Sequence, residues 1–129
     1  MAFQRELIAD LAGRRFSLVA TWRASEEIAN RVADPIFIQR EAALVQMNAE
    51  IGLPYQPRFS FSVSNVAEII WIGAKAGGEK VGLEEVKDAV FEGGYEAATR
   101  IASEYLELIL GPKPTVEVEA SKETPTPGE

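Results

Sequence analysis

The 129-residue chain contains no cysteine and no histidine. Without cysteine there can be no disulfide and no thiolate chemistry, and the redox compartment stays open. Without histidine the commonest general base and the commonest transition-metal ligand are both missing. Basic clusters are absent too. Lys and Arg number 13 against 20 Asp and Glu, for a net charge of −7, and Arg14-Arg15, at an expected turn, is the one basic pair. Surfaces that neutralise phosphates concentrate Lys and Arg, so no nucleic-acid partner is expected. The most apolar stretch, Val66 to Ala76, is interrupted by Glu68, Gly73 and Lys75. It falls far short of the roughly 20 apolar residues a bilayer-spanning helix needs, so no membrane partner is expected. The opening MAFQRELIAD carries acidic residues and no long apolar run, unlike a signal peptide. A cytoplasmic location follows by default.

What is present is the composition of a soluble globular domain, 47% hydrophobic and 26% charged. The length suits one domain with a single core. The clearest boundary is GPKPTVEVEASKETPTPGE from Gly111 onwards, which holds four of the seven prolines and no large apolar residue except Val116 and Val118. Such a composition buries too little to offset the entropy of ordering, so a domain over 1–110 and a flexible, proline-rich acidic tail over 111–129 are expected.

The pattern along the body is mainly α. Residues 4–20 read as a β-hairpin, since Phe16, Leu18 and Ala20 alternate with Ser17 and Val19 and Ala12-Gly13-Arg14 can make the connection. Residues 3–11 alone also fit a helix, with Phe3, Leu7, Ile8 and Leu11 on one face. Five helices follow, over 22–33, 36–50, 64–75, 83–92 and 95–110. Thr21 is placed to cap the first, Asp34-Pro35 to end it, and Ser62 or Ser64 to cap the third. Gly93-Gly94 and Gly111-Pro112 close the last two. Expected apolar stripes are Trp22, Ile28 and Val32 on the first helix and Ile36, Ala43, Leu44, Met47 and Ile51 on the second. The third carries Val66, Ile69, Ile70, Gly73 and Ala74, and the fifth Tyr95, Ala98, Ala102, Tyr105, Leu106 and Ile109.

Every usual catalytic arrangement lacks a part. The glycine-rich stretch Gly73–Val81 has Glu79 where a phosphate loop needs its lysine and Val81 where it needs a hydroxyl, so a helix–helix turn is expected. Glu26-Glu27 and Glu84-Glu85 are sequence neighbours, which on a helix point about 100° apart and do not converge, so they read as solvated charges. A triad has no histidine and a calcium loop no alternating oxygens. No enzyme activity, cofactor or metal is therefore expected. Among the aromatics, Trp22, Trp71, Phe91, Tyr95 and Tyr105 are expected in the core. Tyr55 and Phe59, with Phe61, lie on the connector LPYQPRF and just beyond it, and are the residues expected to contact a partner.

From Asn65 the chain reads NVAEIIWIGAKAGGEKVGLEEVKDAVFEGGYEAATRIASEYLELIL. This resembles a family of small tail proteins of phages and gene transfer agents, described as tail-assembly chaperones and sometimes labelled tail tube proteins. The shared parts are an apolar helix ending in small residues, Val66–Ala76, then a glycine turn, Gly77–Gly82, and a short acidic helix, Leu83–Glu92. The Gly94-Tyr95 step and the long helix Glu96–Leu110 complete it, and GRRFSLVATWRASEEIANRV is similar to the family's opening hairpin and helix. The resemblance covers about residues 5–110 and tips the opening toward the hairpin. The insertion ADPIFIQREAALVQMNAEIGLPYQPRFSF departs from the plainer connection of that family. The resemblance implies a role without chemistry: holding a helical, aggregation-prone tape-measure protein soluble and recruiting tail tube subunits, in the host cytoplasm. A homo-oligomer is compatible with the sequence.

Overall fold

A computed structural model describes residues 5–111. The expected tail, apart from Gly111, and the first residue of the expected hairpin, Gln4, lie outside the described residues. Strands β1 (Arg5–Leu11) and β2 (Arg14–Ala20) form an antiparallel hairpin, followed by α1 (Trp22–Arg31), α2 (Pro35–Glu50), α3 (Val63–Ala76), α4 (Leu83–Gly93) and α5 (Tyr95–Leu110). The mainly helical fold with an N-terminal hairpin is as the sequence indicates.

The hairpin register is set by its two-residue turn. Leu11 pairs with Arg14 and Ala9 with Phe16, which puts Leu7, Ala9, Leu11, Phe16 and Leu18 on the helix-covered face. Ala12 and Gly13 both have positive φ, 55° and 73°, the geometry two-residue hairpins favour because it matches the strand twist. Gly13 adopts it without penalty, whereas Ala12 does so against its Cβ. Ala12→Asn should therefore stabilise the domain by about 0.5–1 kcal/mol, read as a rise of a few degrees in melting temperature.

Local chemistry marks the helix ends. The Thr21 side chain accepts from the Ala24 N–H (3.0 Å), the Asp34 carboxylate from Ile36 (2.8 Å) and the Ser62 hydroxyl from Asn65 (3.1 Å). Glu85 reaches back to the Gly82 N–H (2.8 Å), so one member of the Glu84-Glu85 pair caps α4. Glu27 is likewise engaged, at 2.7 Å from Lys75. Helix α1 stops at Arg31, two residues before its expected end. The Val32 and Ala33 amides both close on the Ile28 carbonyl, and Val32 leaves helical geometry.

The core lies between the hairpin and α3, which packs on β2 and touches α1, α4 and α5. Val66, Ala67, Ile69, Ile70, Ile72, Gly73 and Ala74 are all buried, so α3 is enclosed on most sides. Its register against β2 depends on close approach at Gly73. A Cβ there would sit 2.9 Å from the Tyr105 ring and 3.1 Å from the Leu18 Cβ. The Gly73–Val81 stretch is the expected turn, with one unanticipated contact: the Glu79 carboxylate accepts from the Ser17 N–H at 2.6 Å. The Tyr105 hydroxyl donates to the Val19 carbonyl (2.6 Å), so two backbone groups of β2 that β1 does not pair are satisfied by side chains.

The expected core position of three aromatics is corrected. Trp22 is 78% exposed and Phe91 87% exposed, and Tyr95 also lies at the surface. The buried stripe of α1 is Ala24 and Ile28. Trp71 is half-buried, its indole N–H donating to the Val81 carbonyl (3.0 Å) while the Lys75 ammonium sits 3.8 Å above the ring. Only Tyr105 of the five is fully enclosed.

Candidate binding surface

Helix α2 and the connector after it form the least enclosed part of the fold. Helix α2 packs mainly against α5 and α1, and the residues it buries are Pro35, Ile38 and Glu41. The apolar stripe expected on one face of α2 points mostly to solvent. Ile36 is 61% exposed, Met47 59% and Ile51 69%, with Ala43 exposed beside them and Leu44 half-buried. Val45 and Leu53 add to the outward apolar surface.

The inward side of the helix carries a carboxylate, Glu41, beside Pro35 and Ile38. Its side chain is 1% exposed, and it organises the connector by accepting four hydrogen bonds. The Arg58 backbone N–H donates at 2.7 Å, the Arg58 guanidinium at 2.8 and 3.2 Å and the Tyr55 hydroxyl at 2.9 Å. A buried carboxylate is tolerated only when paired and hydrogen-bonded, and here all its partners come from one short segment. The Arg58 N–H, then its guanidinium and the Tyr55 hydroxyl, outweigh burial and lower the Glu41 pKa from 4.5 to about 2. The same contact raises the Tyr55 and Arg58 pKa values. The guanidinium also lies over the Phe37 ring, 5.4 Å from its centre. The inward face of α2 thus holds the connector through a polar knot, and its larger apolar side chains are left outside.

Tyr55, Phe59 and Phe61 are all half-buried, and of the three only Phe59 and Phe61 are brought together. Tyr55 is engaged by Glu41, Phe59 and Phe61 make an edge-to-face pair (5.3 Å) against the core, and the Phe61 carbonyl accepts from the Tyr95 hydroxyl (2.7 Å). They fix the connector rather than project from it. Tyr55→Ala should lower stability, since the truncation removes a partner of a buried carboxylate. Sequence reasoning missed Glu41, and only its glutamate at a position facing inward signals it. That signal is unreadable without knowing which face points in.

A second feature lies at the opposite end of α2. A groove of about 480 Å³ runs between Arg5, α1, the start of α2 and the end of α5, with Trp22, Ile36 and Leu110 on its walls and Glu26 and Asp34 at its rim. Among the described residues, no group of three or more Asp and Glu is arranged to hold a metal ion, and no helix is long and apolar enough to cross a membrane. No protein-family model, curated protein or solved structure matches the chain.

Proposed function

We propose that this chain is a non-enzymatic binding protein of tail assembly, a chaperone for the tape-measure protein of a phage or gene transfer agent, acting in the cytoplasm of the bacterial host. The observation that carries this reading is the outward apolar stripe Ile36–Ala43–Met47–Ile51 on α2. A helix that turns its apolar side to solvent has surface left to bury, and the complementary shape is another amphipathic helix. A tape-measure protein is rich in such helices. The resemblance of residues 5–110 to tail-assembly chaperones supports the same reading, and tail tube subunits are the second partner it implies.

Co-expression with the tape-measure product of the same gene cluster tests it. The expected outcome is a soluble complex from which this chain departs before the particle is complete. Stoichiometric presence in purified tails would instead make it a structural component. A mass that rises with concentration for this chain alone would place a second copy on the α2 stripe.

A further inference from the structure

The chain leaves the described domain at the edge of a groove that fits what comes next. Helix α5 ends at Leu110, which forms part of the groove wall, and Gly111 lies against the Arg5 side chain, another lining residue. The opposite wall carries Trp22, one of the most exposed large apolar side chains, and Ile36. With Ile36 and Leu110 the indole makes a contiguous apolar lining that a ligand can bury.

The residues after Gly111 are Pro-Lys-Pro-Thr-Val-Glu-Val, positions 112–118. Two prolines in three residues bias this segment toward the extended polyproline conformation, and proline-rich segments in that form are recognised by aromatic-lined grooves. At about 3.1 Å per residue, the five steps from Gly111 to Val116 span roughly 15 Å, enough to cross a site of this size. One charge match is on hand: Lys113, two residues beyond Gly111, has the Glu26 and Asp34 carboxylates among the groove's lining as counterparts. Attachment at Gly111 also supplies an effective concentration in the millimolar range, so weak contacts suffice.

We propose that residues 112–117 are the ligand of this groove, with the proline rings and Val116 packed on Trp22 and Ile36. Docking ties the end of α5 to α1 and covers Ile36, the first residue of the outward stripe on α2. A partner helix reaching the Ile36 end of that stripe would have to displace the segment. This last consequence rests on the binding role proposed above, and the docking itself does not.

The test uses the full chain alone, so it is independent of any partner. The chain has no cysteine, and Ser121→Cys accepts a single nitroxide label. With the label oxidised, the signals of the Trp22 indole N–H and the Ile36 amide should fall to less than half their intensity after ascorbate reduction. Adding Lys113→Glu and Val116→Asp to the labelled chain should restore both. These substitutions lie outside the described residues, and the other signals of the domain serve as an internal control. Equal broadening with and without them would mean that tethering alone brings the label near, and would overturn the proposal. Broadening of an isotope-labelled chain by a separate spin-labelled chain would overturn it as well, by placing a second copy in the groove.

Discussion

Tyr105→Ala should destabilise the domain by about 3–5 kcal/mol, the range for removing a large aromatic from a packed core. The side chain is fully buried and joins three elements: α5 carries it, α3 approaches it at Gly73, and β2 receives its hydroxyl at Val19. Equilibrium urea unfolding at neutral pH measures the change. Tyr105→Phe separates ring from hydroxyl and should cost about 1–3 kcal/mol, because the Val19 carbonyl loses its partner. Gly73→Ala should cost about 1–3 kcal/mol on its own, since the new Cβ meets the ring. It should cost less in the Tyr105→Ala background, where the ring is gone and only the Leu18 Cβ still crowds the new methyl, and that coupling identifies the contact. A loss below about 1 kcal/mol for Tyr105→Ala would contradict this packing. Burial also raises the Tyr105 pKa above its ordinary 10.0. The sign follows: its contribution is complete below pH 10 and is lost as pH rises further, a dependence that Tyr105→Phe removes.

The second large effect is expected at Glu41. Glu41→Ala removes the acceptor of four hydrogen bonds and leaves Arg58 and Tyr55 without their shared partner. Hydrogen exchange reads the outcome directly. The Arg58 amide should lose its protection and exchange like a free segment, while the amides of α3 keep theirs. Protection of Arg58 unchanged in the variant would show that the connector is held by Phe59 and Phe61 alone. The pH dependence runs opposite to that of Tyr105. A carboxylate with a lowered folded pKa stabilises above its unfolded value, near 4.5, and that contribution is lost as pH falls toward about 2. Glu41→Gln should therefore flatten the acid limb of the stability profile across that window.

The two sites differ in how far the sequence foretells them. Element positions are written in local chemistry: Thr21, Asp34-Pro35, Ser62, the Gly82–Glu85 pair and Gly94 each act within a few residues, and the helices start and stop beside them. The enclosed face of α3 is legible for a related reason, since its stripe is flanked by further apolar residues and only a narrow strip, Ser64, Glu68 and Lys75, is left to turn outward. Helix α2 is different. Periodicity says that Ile36, Ala43, Met47 and Ile51 lie near one face, but not which way that face points. The inward side is marked by Glu41 bonded to Arg58, 17 residues apart in sequence, and no pattern within either segment signals the pairing. Trp22 and Phe91 fail for a simpler reason. Size makes an aromatic a good core residue on average, yet the end of a helix places it by geometry rather than by size.

That direction of α2 is what the proposed role rests on, and the double variant Met47→Asp with Ile51→Asp tests it. Two charges on an outward stripe should change stability by no more than about 1 kcal/mol. They should also abolish capture of the tape-measure product, because an apolar helix face cannot bury two unpaired carboxylates. The expected result is thus a melting temperature within a few degrees of the natural chain and no complex. A melting temperature lowered as far as by Tyr105→Ala, or a complex that forms undiminished, would contradict it.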